Sequence, residues 1–471
     1  MVIGTIADAL GRGVEGIASG ISETFFEPVI RLGVTGLARS GKTVFITSLV
    51  ANLLDRGRMP GLEAARSGRI EAAFLQPQPD DTVPRFAFED HLAAMTGAAP
   101  HWPDSTRAVS ELRLSLRVRP SGLLGAVSGP RTIHLDIVDY PGEWLLDLAL
   151  LDLDYPAWSR DALARAETRR EGIAAPFFSA MAATDPSAKL AEPVAGALAR
   201  GWTEYLAAAR EQGFSDCTPG RFLLPGDLEG SPAITFAPLP PGEAPRGSLA
   251  HEFARRYEAY KREVVKPFFR AHFARIDRQI VLVDALGAIH AGPQALEDLR
   301  QAMAAILGAF RPGRNAFLGS ILGRRVDRIL FAATKADHLH HEQHPRLQAV
   351  IEALVSEARR RAEFSGAETR AMAIASLRAT TEEVRRVNGA ELGLVRGRLL
   401  DDGRQAALHP GDLPADPAAL LAPARDGAER WLSGDYGVMR FAPSALSLRP
   451  GEGPPHIRLD RAAEFLIGDR L

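Results

Sequence analysis

The most informative stretch of the sequence spans residues 36–43 and reads Gly36-Leu37-Ala38-Arg39-Ser40-Gly41-Lys42-Thr43. It follows the apolar run Arg31–Thr35 and leads into a helical pattern that extends from Thr43 to Leu54. A glycine-rich turn in this position directs successive backbone N–H groups, and the positive end of the helix dipole, toward one point. The motif G-x-x-x-x-G-K-[ST] in this context therefore predicts a phosphate-binding loop.

The residue types of this loop have separable tasks. Gly36 and Gly41 permit the tight turn, and Lys42 brings a positive charge to the β- and γ-phosphates. The hydroxyl of Thr43 is a suitable ligand for Mg²⁺, which binds phosphate oxygens together with few protein groups. The nucleotide contacts expected from the loop are Gly36, Arg39, Ser40, Gly41, Lys42 and Thr43.

A second motif, Thr334-Lys335-Ala336-Asp337, ends the apolar run Arg328–Ala333 and resembles the guanine-specificity pattern [NT]-K-x-D. The Asp337 carboxylate could accept hydrogen bonds from guanine N1–H and the N2 amine, and adenine does not offer this pair of donors. The stem of Lys335 would cover the base. Lysine is rare in this chain, which increases the weight of a lysine in both motifs. The predicted ligand is therefore GTP or GDP.

A third motif, Asp139-Tyr140-Pro141-Gly142, follows the apolar run Thr132–Val138. Asp139 at the carboxyl end of a strand could hold a water molecule on Mg²⁺, and the N–H of Gly142 could contact the γ-phosphate. Glu143 comes next, where water-positioning GTPases often carry glutamine. Its carboxylate could orient the attacking water or repel the γ-phosphate, and the sequence leaves both open.

Other nucleotide contacts are predicted from position alone. Ala375-Ser376 ends another apolar run, and its backbone N–H could reach guanine O6. Thr106 is the best-placed residue to complete the Mg²⁺ shell, with Thr82 as the alternative. Arg39 or Arg107 could supply a positive charge to the transition state, although a solvent-facing arginine is the simpler expectation.

A histidine-rich run, Asp337-His338-Leu339-His340-His341-Glu342-Gln343-His344, follows the second motif. His340 and His344 would share a face of a helix, which is compatible with metal binding. The spacing supplies no third ligand. A solvated loop beside the base is therefore the expected structure.

Short apolar runs predict six buried strands: Arg31–Thr35, Leu112–Val118, Thr132–Val138, Gln279–Ala285, Arg328–Ala333 and Ala371–Ala375. Helical patterns follow two of them directly, at Thr43–Leu54 and Pro293–Phe310, as strand-to-helix units with parallel pairing require. A further short helical piece is expected near Phe88–Met95. The fold class is α/β.

Long segments interrupt this pattern and give the predicted domain organisation. Helical periodicity at Trp158–Arg170, Ala188–Gln212 and His251–Phe273 indicates a helical insertion, and Leu392–Leu400 with Ala406–Leu408 indicates a β-hairpin across an Asp402-Gly403 turn. The predicted parts are an N-terminal amphipathic helix at 1–30, the nucleotide domain at 31–144 and 279–390, the helical insertion at 145–278, and a β-rich extension at 391–471 ending in a helix, Asp460–Leu466.

Composition indicates which partners and which cellular compartment to expect. With 471 residues, 56 Lys and Arg and 58 Asp and Glu, the chain has a formal charge of −2, so no nucleic-acid partner is expected. The single cysteine, Cys217, fits a reducing compartment, and neither a signal peptide nor a membrane span is recognisable, which predicts a cytoplasmic protein. The apolar stripe from Ile3 to Phe25 could pack on its own domain or lie on a membrane or partner surface.

The order of the motifs resembles that of a Ras-like P-loop GTPase. Three longer strings resemble the YcjX-like family of bacterial stress-associated GTPases, and this resemblance covers nearly the whole chain: Asp139-Tyr140-Pro141-Gly142-Glu143-Trp144-Leu145-Leu146-Asp147, Leu282-Val283-Asp284-Ala285-Leu286 and Pro455-His456-Ile457-Arg458-Leu459-Asp460-Arg461-Ala462. The resemblance implies GTP and Mg²⁺ binding with hydrolysis, a helical insertion, and a link to envelope stress through a membrane-protein partner. Together with the apolar stripe in residues 1–30, it leaves peripheral location at the inner membrane open. The alternatives are an ATPase, a non-hydrolysing nucleotide-dependent scaffold and a membrane-associated module.

Overall fold

The computed structural model describes residues 27–37, 39–104, 108–121, 129–271, 275–308, 326–364, 366–387, 389–431, 436–437 and 440–471. Three expectations lie outside these residues. They are the amphipathic stripe from Ile3 to Phe25, the proposed Mg²⁺ ligand Thr106 and the proposed cationic residue Arg107.

A seven-stranded mixed sheet forms the centre of the described structure, in the order β2-β3-β4-β1-β5-β6-β7. Strands β4, β1, β5, β6 and β7 are parallel, whereas β2 and β3 run antiparallel at one edge. A separate sheet has the order β10-β9-β8. The strands are β1 (Val29–Gly36), β2 (Ile70–Gln76), β3 (Ser110–Val118), β4 (Arg131–Asp139), β5 (Arg278–Val283), β6 (Arg328–Ala333), β7 (Glu368–Ala373), β8 (Thr380–Val387), β9 (Ala390–Arg398) and β10 (Gln405–Leu408).

All six strands predicted from apolar runs are present in the central sheet, with ends that differ by a few residues. Two further strands were not predicted. In the edge strand β2, apolar and polar residues alternate only weakly, and two of its residues are alanines. Strand β8 consists mainly of charged and hydroxyl residues. The predicted strand Gln279–Ala285 was too long, because Asp284 caps a helix that begins at Ala285.

The helices are α1 (Lys42–Leu54), α2 (Glu63–Arg66), α3 (Phe88–Thr96), α4 (Glu143–Leu146), α5 (Tyr155–Arg169), α6 (Glu171–Ala182), α7 (Glu192–Glu211), α8 (Gly220–Leu223), α9 (Leu249–Tyr260), α10 (Lys266–Ala271), α11 (Ala285–Ala291), α12 (Pro293–Gly308), α13 (His344–Leu354), α14 (Ser356–Phe364), α15 (Ala418–Arg425) and α16 (Leu459–Ile467). A π-helical turn, Lys261–Val265, joins α9 to α10. Helix α6 was not predicted, because Gly172 and the internal Pro176 are unfavourable within a helix.

Each face of the central sheet has its own hydrophobic core. One core joins β1, β3 and β4 to helix α1 and the C-terminal helix α16. The other contains β5 and β6 residues such as Val281 and Phe331, helices α12 and α13, and the helical segment around Trp158 and Trp202. The helices between α4 and α10 therefore share a continuous apolar core with one face of the sheet.

The described residues contain no helix whose length and hydropathy would let it cross a bilayer.

Candidate functional site

The loop between β1 and α1 has the backbone conformation that the sequence motif requires. Arg39 and Gly41 both have positive φ angles, 63° and 82°, and helix α1 begins immediately afterwards at Lys42. A Cβ at Gly36 would lie 2.6 Å from the carbonyl oxygen of Leu282 on β5. The chain thus turns tightly at Arg39–Gly41, passes close to β5 at Gly36, and brings the N-terminus of α1 to the carboxyl edge of the sheet.

The polar side chains of this loop are arranged around that turn. Lys42 Nζ donates a 2.7 Å hydrogen bond to the carbonyl of Gly36, which lays the lysine stem across the loop. Thr43 is buried in the first turn of α1. The hydroxyl of Ser40 is also buried and makes no hydrogen bond within the described structure. A buried hydroxyl of this kind, beside a helix N-terminus and a lysine, suits a phosphate ligand.

Asp139 and Gly142 lie directly beside this loop. Strand β4 pairs with β1 in parallel, with Asp139 in register with Val34, so both strands end at the same edge. A Cβ at Gly142 would come within 2.6 Å of the Gly36 carbonyl oxygen and 3.0 Å of Leu37 N. The phosphate loop and the Asp139–Gly142 segment therefore touch through backbone that only glycine permits.

Glu143 begins helix α4 and is buried, with 4% of its surface exposed. Its backbone packs against Gly220 of α8, where a Cβ would lie 2.6 Å from the Glu143 carbonyl carbon. Burial raises the pKa of the Cys217 thiol to about 12, and the Glu143 carboxylate is among the acidic groups that add to this rise. Glu143 thus contributes to the electrostatic surroundings of Cys217, which precedes α8.

Asp147, the residue after α4, joins the same segment to two distant elements. Its Oδ1 accepts a 2.8 Å hydrogen bond from Gly220 N, and its Oδ2 accepts a 2.5 Å bond from the Tyr260 hydroxyl. Burial raises the pKa of Asp147 to about 7, against the lowering effect of these hydrogen bonds. The guanidinium of Arg221 lies over the Trp144 ring, 3.3 Å from its centroid.

The second predicted motif follows β6, at the same edge of the sheet as the phosphate loop. Lys335 has a left-handed backbone, with φ of 60°, and its ammonium forms an ion pair with Asp284 at the end of β5. Asp337 is buried, and its Oδ2 accepts a 2.9 Å hydrogen bond from Ala379 N. This bond orients the carboxylate and leaves its Oδ1 as the further acceptor for a base.

The predicted contact at Ala375-Ser376 lies two residues beyond β7. The N–H of Ala375 donates to the Ile457 carbonyl at 3.1 Å, so this group is engaged within the protein. Ser376 is buried beside it. Of the two residues, Ser376 is the one whose N–H could face a base.

Three further predictions from the sequence concern Thr82, Arg39 and the histidine-rich run. Thr82, the alternative to Thr106, is exposed and donates to Asp80 at 2.6 Å in a local turn. Arg39 is exposed, as the simpler expectation had it. The histidine run is not the solvated loop that was expected, because His344 is buried and its Nε2 lies 2.8 Å from the Ala336 carbonyl. Burial lowers the pKa of His344 and of His338.

Two residues of this region were not among the predicted site residues. Asp284, the ion-pair partner of Lys335, follows an apolar strand, and this position could have indicated a residue at the carboxyl edge of the sheet. Asp147 had no such signal, because its partners Gly220 and Tyr260 are far away along the chain.

The chain is similar to known proteins over most of its length. A family model described as "YcjX-like family, DUF463" matches residues 30–471. The chain is 38% identical over 455 residues to a protein of Escherichia coli (strain K12) named "Ras-like GTPase YcjX", an alignment that covers 94% of this chain and 96% of that protein. It is 34% identical over 467 residues to a protein of the same name from Shewanella oneidensis strain MR-1, with 94% of each chain covered.

Proposed function

Because the chain belongs to the YcjX-like family, we propose that it binds GTP and GDP, hydrolyses GTP with Mg²⁺ and acts as a switch controlled by the bound nucleotide. The main support is the contact between two motifs that are distant in sequence. The phosphate loop at 36–43 and the Asp139–Gly142 segment meet at the carboxyl edge of a parallel sheet, where α/β proteins bind their ligands. The names of the two relatives support the same activity.

In this proposal the phosphates lie at the N-terminus of α1. Backbone N–H groups of the loop, together with Lys42, neutralise the phosphate charge, and Gly142 N–H contacts the γ-phosphate. Thr43 and Asp139, with Thr106, would hold Mg²⁺, which would neutralise charge between the β- and γ-phosphates. The buried Ser40 hydroxyl and the glycine contacts at Gly36 and Gly142 fit such a ligand.

Guanine selectivity is assigned to the loop after β6. Ala379 N–H donates to the Asp337 carboxylate, whose other oxygen is the proposed acceptor from the base edge. Lys335 is oriented by Asp284, so its stem could cover one face of the base. Ser376 N–H is the proposed donor to guanine O6.

Glu143 is the proposed residue for positioning the attacking water. Because Glu143 is buried with its backbone against Gly220, the proposed mechanism includes a movement of α4 that brings the carboxylate to the γ-phosphate. Slow intrinsic turnover is the expected consequence, as for other small GTPases that act without help.

The route from nucleotide to partner is proposed to run through Asp147. Gly142 precedes α4, and Asp147, the residue after α4, is hydrogen-bonded to Gly220 and Tyr260 in the helical segment. A displacement of Gly142 would therefore reach α8 and α9. A role in bacterial stress response, through a membrane-protein partner or peripheral contact of residues 1–30 with the inner membrane, completes the proposal.

The test is competition binding with GTP, GDP and ATP in millimolar Mg²⁺, followed by phosphate release. We expect GTP and GDP to displace labelled GTP while ATP does not. Lys42→Ala should abolish tight binding, whereas Lys189→Ala, at an exposed lysine of the helical segment, should leave it unchanged. Asp337→Ala should reduce the preference for guanine over adenine.

Each rival function predicts a different result in these assays. Equal competition by ATP, with no effect of Asp337→Ala, would indicate an ATPase. Tight GTP binding without phosphate release, even with candidate partners present, would indicate a scaffold. Retention of guanine nucleotides by Lys42→Ala would contradict the assignment of the phosphate loop.

A further inference from the structure

Three potential metal ligands meet beyond the loop that carries Asp337. His340 and His341 lie at the start of a short 3-10 turn, His341–Gln343, and Glu382 lies on β8. One ligand atom from each lies within 4.8 Å of the others. His341 Nδ1 is 2.6 Å from Glu382 Oε2, and His340 Nε2 is 3.9 Å from the same oxygen. The third ligand that the histidine spacing lacks thus comes from a strand about 40 residues later.

The two histidine rings are held side by side. Their centroids are 4.3 Å apart at an interplanar angle of 42°. The His340 ring packs on the backbone of Gly393 in β9, where a Cβ would lie 2.6 Å from its Cγ. The position of the His340 ring is therefore fixed by the three-stranded sheet that contains Glu382.

The Nδ1 atom of His340 is buried and has an acidic neighbour. The His340 side chain is 6% exposed, and Nδ1 makes no hydrogen bond although Glu342 Oε2 lies 3.2 Å away. A metal ion on Nε2 would fix the proton on Nδ1. The Nδ1–H would then face the Glu342 carboxylate, an arrangement typical of histidines that bind metals.

Glu382 directs one oxygen toward the two histidines, and its 2.6 Å hydrogen bond with His341 Nδ1 is the contact that a cation would replace. Its Oε1 accepts a 3.2 Å hydrogen bond from Arg378, and Oε2 faces both histidines. His341 is 63% exposed at its side chain, which provides an entry path and room for a water ligand. Two imidazoles, one carboxylate and a water form a four-coordinate set that suits Zn²⁺ better than Mg²⁺ or Ca²⁺.

We propose that His340, His341 and Glu382 bind one Zn²⁺ ion, with Glu342 as the hydrogen-bond partner of His340. The ion would connect the turn after Asp337 to strand β8. This site is separate from the proposed Mg²⁺ ligands Thr43 and Asp139, and its test does not require nucleotide.

The experiment uses the full chain, purified without a histidine tag and stripped with a chelator. Co²⁺ is titrated into the protein and followed by the visible absorption of four-coordinate cobalt, and Zn²⁺ is then added to displace it. The site variants are His341→Ala and Glu382→Gln. The matched control is His101→Ala, at an exposed histidine in the loop after α3.

We expect one equivalent of Co²⁺ to give four-coordinate absorption that one equivalent of Zn²⁺ removes. Both site variants should lose this saturable binding, and the control should keep it. Zn²⁺ should also raise the melting temperature of the wild type and of the control, but not of the site variants. Circular dichroism checks that each variant is folded. Absence of saturable binding in the wild type, or binding unchanged in the folded site variants, would overturn the proposal.

Discussion

Single glycines determine how closely the segments after β1 and β4 approach each other and strand β5. At Gly36 an added Cβ would lie 2.6 Å from Leu282 O and 2.9 Å from Leu282 Cβ, so β1 and β5 would have to separate. At Gly142 the obstructing atoms belong to the phosphate loop itself. These backbone contacts explain why both motifs contain glycine at fixed positions, independently of any side-chain chemistry.

Gly36→Ala is therefore expected to weaken both folding and nucleotide binding. Backbone atoms cannot yield as a flexible side chain can, and the cost should be about 1–3 kcal/mol of unfolding free energy. The matched control is Gly242→Ala, because a Cβ at Gly242 would meet open space. Urea unfolding and GTP titration of the two variants would test this. Equal stability and affinity in both would contradict the packing described for Gly36.

The site residues differ in how far the sequence could predict them. Lys42, Thr43 and Asp139 lie in short motifs next to apolar strands, so their grouping follows from parallel strands ending at one edge. Glu382 could not be related to His340 and His341 in this way. Their meeting depends on β8, a strand whose polar sequence gives no apolar alternation.

At the scale of whole elements, the success of prediction depended on burial. The parallel strands β1, β5 and β6 are covered on both faces, and their continuous apolar runs were recognised. Strands β2 and β8 lie at sheet edges with one or both faces exposed, so their sequences carry little hydrophobic signal. Helix α6 was not predicted because Pro176 is unfavourable inside a helix. Burial of Phe177 in the core outweighs this local cost.

The burial of Asp147 between α4 and its partners on α8 and α9 predicts a pH dependence of stability. The folded pKa is about 7 and the ordinary value is 3.8, so between these values the native state holds a proton that the unfolded chain releases. This contribution is present in full below pH 4 and is lost as pH rises through 7. Its slope is at most about 1.4 kcal/mol per pH unit.

Asp147→Asn tests this by mimicking the protonated carboxyl at all pH values. The variant should lose stability less steeply than the wild type between pH 4 and 7 in urea unfolding. Burial also raises the pKa of Glu111 on β3 to about 7, so Glu111→Gln should remove a second, independent part of the slope. A pH profile of Asp147→Asn parallel to that of the wild type would show that Asp147 titrates normally in the folded protein.

At the scale of the whole molecule, the two faces of the central sheet are covered by different helices. The core that contains α1 and α16 also includes residues of the central strands, and α16 packs against β5 and β6. The opposite core joins the sheet to the helical segment without a break. Residues 145–278 were predicted as a helical insertion. Their apolar side chains pack in the same core as α4 and one face of the central sheet.

This continuity predicts a nucleotide-dependent response of the helical segment. Hydrogen exchange should differ between the GDP complex and the complex with a non-hydrolysable GTP analogue in residues 143–169, 220–223 and 249–260. The sheet of β8, β9 and β10 is the internal control, because it belongs to neither core. Tyr260→Phe removes the hydrogen bond to Asp147 and should reduce the response of α9 while leaving that of α4. Identical exchange in the two nucleotide states throughout 143–260 would show that the switch, if present, reaches its partner by another route.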